Sequence, residues 1–589
     1  MKSALTLWGF KLVGAWKRLQ VSYYGGKYSI HRVLALDTYT RITSTWHVLL
    51  VCLSTPLPMV TLVLAQDLVP LQDPREGWSS NYGFWVRTSI LVFVGIPTLT
   101  VQATYFIDGV KIPLVRLALL SFVSSVGAIA CSMAVCTYLT FPVPFFLLAM
   151  FPVLSVVLII AFRVIIGTRI IHQILAHRGQ LTRYLHFVNA KCLLIFIYPA
   201  YEALFHAAHG THYQNLVILL LPVMKIGLKN IMRRRTAHLE DMTPESVIFT
   251  VDLFNSIYMA TCMQRASSRF TVIVIMVVDL SLTIIMLYGL HHRTATALAR
   301  LQDGVGSAQE SDNLLAALCV LCRDPKKIKK QIRDGIRIYS CLPYKVEAAD
   351  ERLMVLLDKI PAQNPSKADA RSPNVVDILS PGLLKPQGYF CRSRNGTIYP
   401  LIPNMANPML SSTKERQPVE SLDLASCPES ALLLRDTLET LFTMECLVIA
   451  SYLEAVIPLF YVVYIIVIVR LPSARYHTEL VGITLDNVGA TVLPVFVFAF
   501  LQVVSIVLLV MLIRRNCGMR ALYQLAFVLE TQMSLVQGKL MFWMLITLCF
   551  RLVHFGTLIT EAISLLLCTD LKYRLSFNST QVSTSRSNS

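Results

Sequence analysis

Apolar runs long enough to cross a bilayer constrain the fold of this chain more than any other feature. A helix of about 20 apolar residues spans the hydrocarbon layer, where only helices and closed barrels satisfy every backbone group. The runs cover residues 43–66, 84–107, 113–136, 145–168, 186–206, 215–231, 247–264, 270–290, 442–469, 488–513 and 540–567. The sequence therefore predicts an all-α, polytopic helical membrane protein with about 11 transmembrane helices, in a range of roughly 9–11.

Composition and charge support the same class. Hydrophobic residues make up 55% of the 589 residues and charged residues only 15%, outside the averages of soluble domains. The net charge is +18, and most Lys and Arg residues stand between the apolar runs, as is typical of loops that face anionic lipid headgroups. We therefore predict the lipid bilayer and its anionic headgroups as partners and expect no nucleic acid. No motif in the sequence requires a cofactor.

Positive residues near the runs predict the orientation of the chain. Residues 1–42 form a basic segment that we expect on the cytosolic surface, whereas the loop at 67–83 is mostly acidic. The N-terminus should therefore be cytosolic, in either the plasma membrane or an endomembrane. Two alternatives stay open: the run at 215–231 could be re-entrant, and the amphipathic run at 247–264 could lie in the interface instead of crossing.

Polar composition divides the chain into membrane blocks and soluble segments. Residues 43–290 and 442–568 form blocks of about eight and about three spans, and residues 569–589 form a Ser/Thr-rich tail with a glycosylation sequon at Asn578. The interval at 291–441 is rich in Pro, Ser and charge. It predicts a mostly disordered insert, cytosolic if 247–264 crosses, that offers a surface for a cytosolic protein partner.

One amphipathic segment stands out in the second block. Apolar residues, among them Met519, Leu522 and Ala526, recur at spacings of three and four over residues 514–539. This heptad pattern predicts an amphipathic helix on the cytosolic membrane surface. A coiled coil with another subunit is the alternative.

Charged residues inside the apolar runs are the first candidates for a functional site, because an ionised group in hydrocarbon is costly unless it is paired or hydrated. The candidates are Asp252, Asp279, Glu445, Glu454, Arg551 and His554. They either line a substrate or proton pathway or form interhelical ion pairs, for example Asp279 with Arg551. At i and i+3, Arg551 and His554 should share one face of the last helix.

A second candidate site lies at the end of the fifth run. Glu202, His206 and His209 follow each other at i, i+4 and i+7, so one helix face presents a carboxylate and two imidazoles. These groups suit a metal ion such as zinc. A polar helix end with titratable histidines, and no metal, is the alternative interpretation.

Several short strings resemble one group of proteins. They are DPREGW at residues 73–78, RYHTE at 475–479, NVGAT at 487–491, the stretch 514–532, and RLVHFG at 551–556. They resemble segments of the large, uncharacterised multi-pass membrane proteins that are expanded in oomycetes such as Phytophthora. The resemblance implies a membrane location and assigns no catalytic or ligand residue.

Taken together, the spans, the proline-broken helices and the intramembrane charges favour a transporter or channel-like protein. A membrane receptor or scaffold that acts through the insert is the alternative. A membrane enzyme is favoured least, because only Glu202 and the two histidines after it offer catalytic groups at one depth. A transporter predicts charges that converge on a water-filled cavity at mid-membrane, whereas closed pairs without a cavity would contradict it.

Overall fold

The described part of the chain is helical and confirms the all-α class. The computed structural model describes residues 26–138, 141–143, 146–208, 213–266, 268–305, 313–323, 336–358 and 429–555, with no strand among them. We number its helices α1 (Ile30–Ile42), α2 (Thr45–Ser54), α3 (Leu57–Asp67), α4 (Tyr82–Phe106), α5 (Leu114–Tyr138), α6 (Phe146–Ala149), α7 (Phe151–Ile165), α8 (Thr168–Ala176), α9 (Arg178–Ala207), α10 (Gln214–Thr236), α11 (Thr243–Gln264), α12 (Arg269–Val305), α13 (Leu314–Arg323), α14 (Ala348–Asp358), α15 (Glu429–Ile468), α16 (Val488–Cys517), α17 (Ala521–Thr531) and α18 (Met533–Cys549). Short 3-10 turns lie at Pro74–Glu76, Glu240–Met242, Pro472–Tyr476, Thr478–Leu480 and Val553–Phe555.

Many of these helices suit a bilayer, which identifies a multi-pass membrane protein. Within the described residues, 8 helical stretches are long and apolar enough to cross. They are Thr45–Asp67, Tyr82–Phe106, Leu114–Tyr138, Arg178–Phe205, Thr243–Gln264, Arg269–Ala297, Leu434–Ile468 and Val488–Cys517. Helices α7 and α8 meet at 115° and add a ninth if they form one broken span.

This count is lower than the 11 spans predicted and reaches the predicted range only with the bent pair. Two of the predicted runs account for the difference. Helix α10 contains the run at 215–231, but Lys225 and Lys229 interrupt its apolar residues. Helix α18 has only 17 residues, and the run predicted at 540–567 continues beyond the part of the chain that the structure describes.

The outward faces of the long helices are apolar. Helix α16 exposes Leu493, Phe500 and Met511, while its polar Gln502 and Ser505 point inward and are buried. A soluble protein places such residues the other way round, because water favours the polar side chains on the outside. An apolar exterior of this extent is stable against lipid, so the side-chain distribution supports the same membrane location as the lengths of the helices.

Helix α11 is the centre of the bundle. It packs against α9, α10, α15, α16 and α18, and nearly every residue along it is buried. Two of its threonine hydroxyls are satisfied within the helix, since Thr250 and Thr261 donate to the carbonyls four residues earlier, each at 2.9 Å. An amphipathic helix in the interface would leave one face exposed. The structure therefore contradicts the interfacial alternative for residues 247–264.

The segment before the first span is packed against described parts of the insert. The backbone N–H of His31 donates to the carbonyl of Ile338 at 2.9 Å. The Arg323 guanidinium contacts the carboxylates of Asp37 and Asp350 at 3.3 and 2.9 Å. Helices α1, α13 and α14 are thus joined by direct contacts. The rest of the two segments, at residues 1–25, 306–312, 324–335 and 359–428, lies outside the described residues, and the interfacial position of 1–42 and the disorder of the insert stay predictions.

The segment predicted as one amphipathic helix at 514–539 is divided between three helices. Helix α16 ends at Cys517, and Gly518 has a φ of +65°, the left-handed conformation that commonly ends a helix. Most of α17, including Leu525 and Phe527, is then buried among α1, α2, α15 and α16. The heptad pattern therefore reflects packing inside the protein along most of α17.

Candidate functional site: charged side chains within the bundle

The six charges predicted inside the membrane separate into groups along the axis of the bundle. Arg551 and His554 lie near the end of α11 that carries Thr261, whereas Glu445 lies beside α1 at the opposite end. The other three, Asp252, Asp279 and Glu454, each lie near the middle of an apolar run, at 247–264, 270–290 and 442–469 respectively. The structure therefore brings neither Arg551 nor Glu445 to the other three.

Arg551 lies in a closed set of contacts that we call the Arg551 cluster: Arg551, Glu479, Thr261 and Tyr461. The guanidinium donates to the Glu479 carboxylate and, at 2.7 Å, to the Thr261 hydroxyl. The Tyr461 hydroxyl donates to the same carboxylate at 3.0 Å, and its ring lies 5.6 Å from the guanidinium carbon. The side chains of Arg551 and Glu479 are only 3% and 0% exposed. The predicted pair of Asp279 with Arg551 is therefore wrong, since Glu479 occupies that position.

Electrostatics in the Arg551 cluster favour the ionised pair. Burial is the largest single effect and would raise the pKa of Glu479. The nearby positive charges, Arg551 first, and the hydrogen bond from Arg551 together outweigh burial, so the pKa lies below its usual range. Glu479 is in the loop between α15 and α16, a short polar segment that did not look like part of a buried site. The ion pair ties this loop to α11 and to the turn after α18.

A second ion pair lies beside the Arg551 cluster. Arg87 at the start of α4 contacts Asp67 at 2.6 Å and donates to the Ser473 hydroxyl at 3.0 Å. His477 lies 3.7 Å from Asp67, within ion-pair distance. Burial, only partly offset by Glu479, lowers the pKa of His477 to about 4, so its imidazole is neutral at pH 7. The His477–Asp67 contact is thus not an ion pair.

His554 lies among aromatic rings at the same end. Its Nε2 is 2.7 Å from the Gln72 carbonyl oxygen, its ring is stacked near Phe84 at 6.1 Å, and the Tyr476 ring meets it edge-on at 4.9 Å. Burial lowers the pKa of His554. Helix α18 ends at Cys549, so Arg551 and His554 follow the helix and do not share one of its faces, in contrast to the predicted i, i+3 arrangement.

Glu445 belongs to a buried cluster that we call the Arg32 cluster: Arg32, Glu445, Tyr28, Gln524 and Asp241. Arg32 Nη2 contacts Glu445 Oε1 at 2.6 Å, and both side chains are completely buried. Tyr28 donates to the same carboxylate and accepts from the Gln524 amide at 2.7 Å. Arg32 also donates to the backbone carbonyl of Asp241. Sequence reasoning missed Arg32 because basic residues before a first span are typical of the membrane surface.

The remaining charges form what we call the central cluster: Lys225, Lys229, Asp252, Glu454 and Asp279. Lys225 Nζ contacts Glu454 Oε1 at 2.5 Å and Asp252 Oδ1 at 3.2 Å. Lys229 Nζ contacts the same Asp252 oxygen at 2.8 Å. Asp252 is therefore held between two ammonium groups one helical turn apart on α10. Neither lysine was predicted, because each lies in a run that was assigned by its apolar residues.

Asp279 joins the central cluster through a hydrogen bond and a cavity. The side-chain amide of Gln502 donates to the Asp279 carboxylate. Asp279 and Lys225 both line a cavity of about 30 Å³, whose walls also include Pro222 and Asn255. A volume of this size holds a water molecule or a species of similar size, and no larger solute.

The central cluster draws on several helices at one depth. Helices α10, α11, α12, α15 and α16 each contribute a charged or amide side chain from near the middle of an apolar run. Asp279 is 9% exposed, and the side chains of Lys225 and Glu454 are 17% and 16% exposed. Such a set of groups can bind a small ion or a proton inside a bilayer.

Two further buried lysines lie closer to the Arg32 end. Lys539 of α18 contacts Glu245 of α11 at 2.5 Å, and both side chains are 1% exposed. Lys191 of α9 donates to Gln102 and lies 4.4 Å from the centre of the Phe187 ring. Sequence reasoning missed both lysines. Their partners stand far away in the chain, and no local pattern connects them.

The structure leaves the predicted metal site largely undescribed. The Glu202 carboxylate lies 3.7 Å from the Arg265 guanidinium. The side chain of His206, and His209 as a whole, lie outside the described residues. No group of three His, Cys, Asp or Glu residues within the described ranges could hold a metal ion. The metal site at Glu202, His206 and His209 stays a prediction, as does the glycosylation of Asn578, which also lies outside these ranges.

Comparisons with other proteins give no family for the chain. No protein-family model, no protein of curated function and no solved structure matches it. The resemblance to oomycete membrane proteins stays a prediction that these comparisons leave untested.

Proposed function

We propose that this multi-pass membrane protein is a cation-coupled transporter, and that Asp279 in the central cluster is the group that binds the coupling ion. One observation supports the proposal most: Lys225, Asn255 and Asp279, from α10, α11 and α12, line one cavity of about 30 Å³. The side chains of Asp252, Glu454 and Gln502 contact Lys225 or Asp279 beside it. An ionised residue within the bilayer is costly unless it is paired or hydrated, so such residues usually mark a functional site. Transporter sites commonly lie near the bilayer midplane, where helices meet.

The balance of charge in the central cluster supports a cation as the bound species. Its carboxylates are Asp252, Asp279 and Glu454, and its ammonium groups are Lys225 and Lys229. The two lysines contact Asp252 and Glu454, so Asp279 is the carboxylate without a described ion-pair partner. A proton or a monovalent cation at Asp279 neutralises the set, and the adjoining cavity has room for a species of that size.

Helix α10 supplies a local reason for movement at this site. Pro222 lies three residues before Lys225 and lines the same cavity. Proline has no backbone N–H, so one hydrogen bond of the helix is missing beside the cavity, and helices bend most easily at such points. Binding at Asp279 changes the charge that Lys225 experiences, and we propose that this shifts the position of α10 between two arrangements.

The test is ion flux through reconstituted protein. The full chain is placed in liposomes containing a pH-sensitive dye, a pH gradient is imposed, and uptake of labelled amino acids, sugars, nucleosides and inorganic ions is followed. We expect proton flux, or gradient-driven uptake of at least one solute, and we expect Asp279→Asn to abolish it. Asp486→Asn, the same substitution in an exposed loop, is the matched control and should transport as the unmodified protein does.

Two results would overturn the proposal. One is that liposomes with the unmodified protein are no more permeable than empty liposomes to protons and to every solute of the panel. The other is that Asp279→Asn transports at the rate of the unmodified protein. The receptor or scaffold alternative depends on the insert, of which residues 306–312, 324–335 and 359–428 lie outside the described ranges, and no described contact favours it over transport.

A further inference from the structure

A second cavity, independent of the central cluster, lies where two spans end. It measures about 270 Å³ and is formed by the start of α2, the end of α16 and the start of α17. Thr45 is the first residue of the span Thr45–Asp67, and Arg514 is close to the end of the span Val488–Cys517. Because both ends face the same side of the bundle, the cavity lies at the level where hydrocarbon gives way to headgroups.

The polar wall of this cavity is basic. Arg514 and Arg520 both line it, and both are exposed. The turn at Gly518 reverses the chain between them, so that two arginines six residues apart reach one space. Arg520 is held in place by Tyr523, whose hydroxyl accepts from it at 3.3 Å and whose ring lies 5.4 Å from the guanidinium carbon. That hydroxyl lies 2.9 Å from the Thr45 hydroxyl, which closes the polar wall.

The charge of the basic wall is not cancelled by the acidic residue of the same helix. Glu530 of α17 contacts His47 Nε2 at 3.0 Å and accepts from the Tyr39 hydroxyl at 2.7 Å. No side-chain partner for Arg514 occurs among the described residues. The N-terminus of α2 begins at this cavity and adds a partial positive charge. The site is therefore complementary to an anion.

The other walls are apolar and continue onto the surface that faces lipid. Val48, Leu49 and Val510 line the cavity, and Leu49 is itself 36% exposed. Next to them, Leu50 and Leu53 of α2 point outward and are largely exposed. A free phosphate or a soluble anion would use only the basic wall. A molecule with a charged head and an acyl chain uses both.

We propose that this cavity binds the headgroup of an anionic phospholipid, with Arg514 and Arg520 on its phosphate and an acyl chain along Leu49 and Val510. Guanidinium groups pair well with phosphate oxygens, and a basic pocket between helices at the interface is the usual form of such a site. The site does not depend on the proposed transport activity. The sequence predicted anionic headgroups as partners in general, and this proposal names the residues that bind one of them.

The test uses the purified full-length protein in mild detergent and a fluorescent phosphatidic acid, with binding followed by anisotropy. Arg514→Ala and Arg520→Ala should each weaken binding about fivefold, the effect expected for one basic residue at a charged membrane surface, and the double variant about 25-fold. Arg515→Ala is the matched control, because Arg515 is adjacent and exposed but does not line the cavity. Arg514→Lys keeps the charge and should retain most of the binding.

The competing explanations give different results. If Arg515→Ala weakens binding as much as Arg514→Ala, the protein attracts anionic lipid by its overall charge and the site is refuted. Equal binding of a fluorescent phosphatidylcholine would show an apolar site without headgroup recognition. Displacement of the lipid by glycerol 3-phosphate, at concentrations similar to those of unlabelled phosphatidic acid, would assign the site to a free phosphate. Melting temperatures equal to that of the unmodified protein confirm that each variant is folded.

Discussion

The Arg551 cluster and the central cluster both place charge inside a helical bundle, but they do so in different ways. In the Arg551 cluster the partners are at most 3% exposed, and the guanidinium is surrounded by a carboxylate, a hydroxyl and two aromatic rings. In the central cluster Lys225 and Glu454 are 17% and 16% exposed, and a cavity lies beside Asp279. The first arrangement is closed and the second is partly open.

The difference separates charge that fixes packing from charge that can change state. A buried ion pair with balanced charges does not attract another ion. Separating its two partners leaves a buried charge without compensation. The central cluster has one carboxylate more than its ammonium groups, and it has room for a small guest. Intramembrane charge is therefore a functional signal only when balance and space are considered together.

The largest expected effect comes from breaking the closed cluster. Arg551→Met removes the guanidinium and leaves Glu479 buried without its partner, which should cost about 3–5 kcal/mol of unfolding free energy. The measurement is the unfolding midpoint of the purified protein in detergent. The control is Arg435→Met, which breaks an exposed pair with Glu439 at 3.4 Å and should cost no more than about 0.5 kcal/mol.

The double variant Arg551→Met with Glu479→Met sharpens this result. Because both charges are then gone and apolar side chains fill similar space, most of the lost stability should return. Equal, small effects of Arg551→Met and Arg435→Met would mean that the Arg551 cluster is not a packing device, and the contrast with the central cluster would fail.

The next effect is a pH dependence of stability at the same end of the bundle. The pKa of His477 is about 4 in the folded protein and about 6.5 in an unfolded chain. Between these values the unfolded chain binds the proton more tightly, so stability should decrease as pH falls from about 6.5 to about 4. A difference of about 2.5 pH units corresponds to about 3 kcal/mol.

Melting curves of the unmodified protein and of His477→Gln across this pH window measure the effect. The variant has no imidazole to protonate at this position, so its melting temperature should fall less on acidification. His292→Gln, at an exposed position of α12, should change nothing. If His477→Gln shows the full acid sensitivity, folding does not lower the pKa of His477, and the sensitivity comes from other groups.

Much of the fold followed from sequence, because hydrophobicity and length decide which helices cross. The all-α class and the multi-pass arrangement needed only the apolar runs. The count was less secure, since helix α10 has Lys225 and Lys229 in its middle and a scale based on composition cannot tell that they point inward. The sequence also did not reveal that α11 is enclosed on all sides, because its polar residues are buried by helices that lie far away in the chain.

The sequence predicted single residues of the candidate site but not the partners that they contact. Asp252, Asp279 and Glu454 were identified because a carboxylate in an apolar run is unusual. Which cation each one meets depends on how helices are arranged in space, and single-sequence reasoning holds no information on that arrangement. The sequence therefore suggested Asp279 as the partner of Arg551, whereas the partner in the structure is Glu479.

The smallest effect on stability decides whether the central cluster is functional. Asp279→Asn keeps the volume of the side chain and a hydrogen bond to Gln502, and it removes a charge from a set with one carboxylate in excess. We therefore expect its unfolding free energy to change by less than about 1 kcal/mol, measured as for Arg551→Met, although transport is lost. A loss as large as that of Arg551→Met would show that Asp279 is needed for folding. The central cluster would then be a second packing device, and its cavity alone would be too little to support transport.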